Sequence, residues 1–432
     1  MSESRLLKIK SFFKILGPGW ITGAADDDPS GIATYSQAGA QFGFATLWMA
    51  LFMFPMMYVI QEICARIGLV TGSGLAGIVK KRYSKKTVYP IVSLLLIANT
   101  INIGADIGAM SASVKLVFPS LPIVLVTILF TALIICAEVF VSYKKYVTIL
   151  KYLTLSLLAY LITAFIVGEN WTQILVASII PHIEFTPSFA MLFVAIFGTT
   201  ISPYLFFWQA STEAENITIK NKIKNIGDGI PKIDNKEIRM MRKDTAFGMA
   251  FSQIVMWFII VTTAGTLHVH GFTDIVTADQ AAQALEPLVK TFPHSGELAK
   301  LIFAFGVIGV GLLAIPVLAG SSAYALSEQF GWKQGLSKKF RDAKGFYLII
   351  AASTVVGLWI NFANIDPIKA LIYTAVINGV IAVPLLVVII KIGNDKKILE
   401  GRTNGKKTNI VGWITVAVMG FAAAVMFLTW QS

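Results

Sequence analysis

Charge is scarce in this chain. Only 14% of its 432 residues are Asp, Glu, Lys or Arg, where soluble domains carry about 25%. With 56% hydrophobic residues and a mean hydropathy of +0.71, that shortage excludes a soluble domain. It points to an all-α, polytopic integral membrane protein. Cysteine is scarcer still. Cys64 and Cys136 both fall in apolar runs and read as small core residues, not as a disulfide. No motif for ATP binding, zinc hydrolysis or nucleophilic catalysis occurs, so nothing points to an enzyme. The N-terminal stretch MSESRLLKIKSFFK is basic but lacks a small-residue cleavage site. It reads as a cytoplasmic tail, not a cleaved signal.

What is present is a series of apolar runs near the length that spans a bilayer, about 20 residues. They fall at about 14–41, 44–69, 88–117, 121–142, 146–167, 189–212, 243–267, 298–326, 346–362, 367–391 and 409–430, eleven expected spans in a single domain. The net charge of +12 would suit nucleic acid, but the basic residues gather in short loops, as membrane topology demands. They occupy the N-terminal tail (Arg5, Lys8, Lys10, Lys14), KKRYSKK at 80–86, Lys144 and Lys145, the segment 220–243, KKFRDAK at 338–344, and 391–407. All of these lie on the N-terminal side. The opposite loops, GENWTQ at 168–173 and HVHGFTDIVTADQ at 268–280, are neutral or acidic. The N-terminus is therefore expected in the cytoplasm and, with an odd number of spans, the C-terminus outside.

Two spans are interrupted. The first contains GAADDDPSGIA at 23–33 and the sixth FGTTISPYLFFWQ at 197–209. Pro29 and Pro203 each remove a backbone donor and disfavour helix in the residue before. The interruptions sit five spans apart, at corresponding places in two halves of opposite orientation. That is the pattern of an inverted-repeat transporter whose midplane site is built on broken helices. The repeats are expected over 14–167 and 189–391, with an extra helix at 409–430. A carboxylate at this depth costs roughly 2.5–3.5 kcal/mol to insert, a penalty that a cavity and a cation can offset. Successive helical residues point 100° apart, so one or two of Asp26, Asp27 and Asp28 can touch a given ion. Asp28, immediately before Pro29, is the expected main ligand. Asp27 and Asp26 are left to line the approach.

The stretch LGPGWITGAADDDPSGIATYSQAGAQFGF at 16–44 resembles the first-helix signature of the Nramp-type divalent metal transporters. Those carry Asp-Pro-Gly-Asn at the break, followed by a similar QAGAQFG. GTTISPYLFF at 198–207 is similar to their Gly-Ala-Thr-Val-Met-Pro-His, and QEICARIGLVTGSGL at 61–75 extends the match. The resemblance implies a LeuT-like fold, a 5+5 inverted repeat with helices 1 and 6 broken, and alternating access. Asp28 and Pro29 stand where the family's Asp-Pro stands. The family's Asn falls on Gly31, its Met on Ser202 and its following His on Tyr204. Its proton-handling Asp and Glu fall on Asn102 and Ala105. Asp106 lies one residue from the second of these.

These departures replace a soft thioether with a hard hydroxyl and remove an amide ligand. Fewer protein ligands leave room for water, which suits Mg²⁺, an ion that dehydrates reluctantly. The pattern is similar to the Nramp-related magnesium transporters. Mg²⁺, and Mn²⁺ beside it, are expected as partly hydrated cargo with weak or no proton coupling. The expected metal-site residues are Asp28, Asp27, Gly31, Thr199, Thr200, Ser202 and Asn378. The partners expected are the divalent cation and the lipid bilayer of a bacterial cell, with no resident cofactor and no obligate protein partner. A proton-coupled Mn²⁺/Fe²⁺ symporter and a small-organic-solute transporter on the same fold are the alternatives.

Other polar residues read more plainly. Glu62 and Arg66, four apart, are expected to pair. Gln209 is placed on the exit path. His268 and His270 read as a solvated loop, and GVIGVG at 306–311 as a helix-packing face.

Overall fold

The computed structural model describes residues 17–141, 157–167, 170–275, 277–292, 294–362 and 366–430. The basic N-terminal tail, Lys144 and Lys145, part of the GENWTQ loop and the start of the fifth expected span lie outside the described residues.

The described secondary structure is helical. The first span is two half-helices, α1 (Pro18–Asp26) and α2 (Pro29–Phe42). Then come α3 (Trp48–Thr71), a short α4 (Leu75–Arg82), α5 (Lys85–Val117), α6 (Ile123–Phe140), α7 (Leu158–Ile166) and α8 (Trp171–Ile179). The sixth span is again split, into α9 (Pro187–Thr200) and α10 (Pro203–Ile219). α11 (Asn235–Thr263) runs on to His268 through one π turn. Short α12 (Ala278–Gln283) and α13 (Glu286–Val289) precede α14 (Ser295–Phe330), α15 (Lys344–Ile360), α16 (Pro367–Gly393) and α17 (Lys406–Trp430). Among the described residues, eight helices, counting α9 with α10 as one, are long and apolar enough to cross a membrane.

Proline writes several of the starts. It occupies the first turn of α1, α2, α9, α10 and α16, where its missing N–H would be unbonded anyway. Each interruption is therefore short, two residues long. Asp27 (φ −84°, ψ 49°) closes α1 and Asp28, extended at ψ 174°, opens α2. Ile201 and Ser202 do the same between α9 and α10. Gly31, Thr199 and Thr200 are therefore helical. α11 also begins earlier than its apolar run, at Asn235. Asp234 and Glu237 form a capping box there, which carries the helix past the edge of the hydrophobic stretch.

Small residues let the helices approach. α1 lies against α11 with Gly23 facing Gly248, so that a Cβ on Gly23 would overlap the Gly248 backbone. α9 meets α16 in the same way, Gly198 against Ala375 and Gly379. The GVIGVG stretch is buried mostly inside α14, with Gly311 against Met110 of α5. Glu62 pairs with Arg66 at 3.1 Å as expected, and also with Arg242 at 2.8 Å. Arg66 reaches on to the Arg402 carbonyl and Asn404, tying α3 to the segment before α17. Large apolar side chains such as Ile128, Leu129, Leu133, Phe421 and Leu428 face outward on α6 and α17. Cys136 belongs to that outward surface. Cys64 is buried, but Cys136 is exposed, because a lipid-facing position needs no burial to hold an apolar side chain.

Candidate functional site

Asp28 lies at the first interruption, 1% exposed. It is the N-cap of α2: Oδ1 accepts from the Gly31 N–H at 2.8 Å and the Ser30 hydroxyl at 2.5 Å. The positive end of α2 favours its charge. Oδ2 faces two other helices. It accepts from Asn102 Nδ2 of α5 at 3.1 Å and lies 3.3 Å from the Tyr204 hydroxyl of α10. Tyr204 is also 3.0 Å from the Ala25 carbonyl near the end of α1. One O–H can serve one of these acceptors at a time.

Asp26 and Asp27 turn toward α11. The Ser252 hydroxyl donates to Asp26 Oδ2 and lies 3.4 Å from Asp27 Oδ1. The other oxygen of each carboxylate has no hydrogen-bond partner among the described residues. Both residues are completely buried.

The second interruption is partly self-satisfied. The Ser202 hydroxyl donates back to the Gly198 carbonyl and, at 2.9 Å, to the Thr199 carbonyl. Thr199 donates to the Tyr35 hydroxyl of α2 at 2.8 Å, and Thr200 lies 3.1 Å from the same oxygen. A carbonyl has a second lone pair, so the C-terminal carbonyls of α9 remain available to a cation and the negative end of that helix favours one. Asn378 is buried on α16 with its Oδ1 unpartnered among the described residues, and no hydrogen bond ties it to Asp28. Gly31 contributes its N–H to Asp28. A Cβ there would stand 3.2 Å from the Asp26 carbonyl and 3.3 Å from the Tyr35 ring.

Beyond this cluster, Thr22 of α1 donates to Gln209 Oε1 of α10, and Gln209 Nε2 donates to Glu213 at 3.2 Å. Asp244 of α11 accepts from the Gly17 and Gly19 N–H groups at 2.8 and 2.7 Å, capping α1 from a neighbouring helix. His268, which ends the π turn, binds the Ala40 backbone carbonyl, and His270 just beyond it binds that of Thr266. Among the described residues, no group of three or more His, Cys, Asp or Glu could hold a metal. A cation here would meet carboxylate, carbonyl, amide, hydroxyl and water oxygens.

The sequence reading missed Asn102 as a neighbour of Asp28, and Tyr35 and Ser252 altogether. A signal for the first was there. Asn99, Asn102 and Asp106 recur at i, i+3 and i+7 along an apolar span, one polar face of α5.

The comparisons agree with this architecture. The family model described as Nramp, Natural resistance-associated macrophage protein-like, matches residues 19–429. The chain is 28% identical over 323 residues to the divalent metal cation transporter MntH of Erwinia tasmaniensis, covering 72% of this chain and 73% of the relative. It is 25% identical to MntH of Klebsiella pneumoniae (strain 342), covering 97% and 94%. Among solved structures it superposes on a manganese transporter of Eremococcus coleocola with a TM-score of 0.70, at 16% identity, over 97% and 87% of the two chains. MhsT, solved in complex with L-phenylalanine, gives a TM-score of 0.59 at 12% identity over 95% and 98%. With the interrupted first and sixth spans in place and the family model running almost end to end, this chain belongs to the Nramp family.

Proposed function

We propose that this chain carries divalent metal cations across a membrane by alternating access. Mg²⁺ is the preferred cargo and Mn²⁺ an accepted one, each partly hydrated. The observation that carries the reading is Asp28: a carboxylate 1% exposed, held at a helix interruption by Ser30, Gly31 and Asn102; the C-terminal carbonyls of α9 are the further oxygen ligands of this reading. No thioether stands at Ser202 and no amide at Gly31, which favours a hard ion over a soft one. A site with few direct ligands suits Mg²⁺ with several of its waters retained. Asn102 and Ala105 do not titrate, so uptake moves few protons.

Two inverted repeats over 14–167 and 189–391, followed by the helix at 409–430, supply the rocking halves. The loop charges support an N-terminus in the cytoplasm of a bacterial cell and a C-terminus outside. A second reading, proton-coupled Mn²⁺ transport, draws support from the relatives, which include a manganese transporter and MntH divalent metal cation transporters.

Proteoliposomes carrying a luminal metal dye and a pH dye decide between them. Mg²⁺ uptake with little acidification is expected. Mn²⁺-driven acidification without Mg²⁺ uptake would replace the first reading with the second.

A further inference from the structure

We propose that Asp106 of α5 supplies a second carboxylate to the transported cation, across from Asp28. The inference rests on the transport reading above and goes further by naming a ligand from the third span.

Asp106 is completely buried, and neither of its oxygens has a hydrogen-bond partner among the described residues. A carboxyl group in that position is costly in either protonation state, because one form leaves a bare charge and the other an unmet O–H. Its charge interacts with Asp28 and with the Tyr204 phenol that touches Asp28, so it belongs to the same polar cluster. The helix face is fixed independently. Asn102, one turn earlier on α5, donates to Asp28 Oδ2 at 3.1 Å, and residues four apart share a face. Asp28 Oδ1 is turned to its own helix by Ser30 and Gly31, whereas Oδ2 is the oxygen turned toward α5.

Charge balance gives the same answer. One carboxylate beside a dication leaves a net positive charge in a low-dielectric site, whereas two neutralise it. Asp26 and Asp27 are weaker candidates because both turn to Ser252 on α11. Mg²⁺ is commonly held through one or two carboxylates plus waters, so Asp106 can act directly or through one retained water.

The test uses the full chain in detergent and in proteoliposomes. Isothermal titration with Mg²⁺ should show Asp106→Asn weakening binding at least tenfold. Asp106→Cys should raise Cd²⁺ affinity relative to Mg²⁺ by at least tenfold, since a thiolate is a soft ligand. A merely structural aspartate would not change the metal preference. Mg²⁺ and Cd²⁺ affinities unchanged in both variants would overturn the proposal. If the variants do not fold, the wild type decides. Anomalous diffraction from Mn²⁺-soaked crystals should place the ion between Asp28 and Asp106, in contact with each or one water away. An ion lying beyond one water from Asp106 would overturn the proposal. Failure of wild-type uptake for every divalent cation would sink the transport reading alone, and titration and diffraction would still judge Asp106.

Discussion

Gly23 and Gly248 meet backbone to backbone: a Cβ on the first would overlap the carbonyl of the second, and a Cβ on Gly248 would overlap the carbonyl of Gly19. α1 and α11 are therefore packed with no room for a methyl group. Overpacking typically costs 1–3 kcal/mol, and backbone cannot step aside as a side chain can. Gly248→Ala should lower the melting temperature in detergent by several degrees and reduce uptake. A variant as stable as wild type would mean the two helices are not so closely held.

Asp28→Ala should abolish ion binding and uptake while the protein still elutes as a folded species. It removes the cap of α2, worth about 1 kcal/mol, so a modest loss of stability should accompany it. Asp26→Ala and Asp27→Ala should do less, since both carboxylates turn to Ser252. Uptake assays on the three variants check the order. Normal transport by Asp28→Ala with none by Asp27→Ala would move the site to the neighbouring carboxylate.

Ser202→Met should shift preference from Mg²⁺ toward Cd²⁺ and Mn²⁺, because it installs a thioether beside the cluster. It also removes the hydroxyl that binds the Gly198 and Thr199 carbonyls, at about 1 kcal/mol per lost hydrogen bond. Adding Gly31→Asn is harder. A Cβ at 31 needs the Tyr35 ring or the Asp26 carbonyl to give by a few tenths of an ångström. Competition of Cd²⁺ against Mg²⁺ uptake should therefore change with the single variant, and further with the pair only where Tyr35 yields.

Asp395, in the loop before α17, offers a pH test away from the membrane. Slight burial works against its charge, but the Lys397 and Ile398 N–H groups and the Arg82 guanidinium at 3.0 Å outweigh it and hold its carboxyl below the usual range. A depressed carboxyl contributes stability above its unfolded pKa and loses it as pH falls through the folded one. The difference in melting temperature between wild type and Asp395→Asn should thus be present at neutral pH and shrink as pH falls below the ordinary carboxylate value. A difference that grows on acidification would contradict the assignment. Arg82 is largely exposed, so the effect is small.

The interruptions were readable because proline acts locally: Pro29 and Pro203 forbid the bond that would continue the helix, whatever surrounds them. The spans were readable because bilayer thickness sets their length. Where α11 begins was not read, because hydropathy marks the edge of the apolar stretch and not the capping box of Asp234 and Glu237. The partners of Asp28 divide in the same way. Ser30 and Gly31 are neighbours in sequence, whereas Asn102 and Tyr204 are 74 and 176 residues away. Only packing brings those two in. Cys136 was misplaced for a solvent reason: in lipid an apolar residue gains little by turning inward.

The two phenol and amide contacts around the site have a mechanical consequence. Tyr35 joins α2 to the end of α9 through Thr199 and Thr200, while Thr22 joins α1 to α10 through Gln209. The half-helices are thus buttoned in pairs, α2 with α9 on one side of the interruptions and α1 with α10 on the other. Because each broken span has its pivot between the two buttons, one can come undone while the other stays fastened. A molecule built this way need never be open at both ends at once.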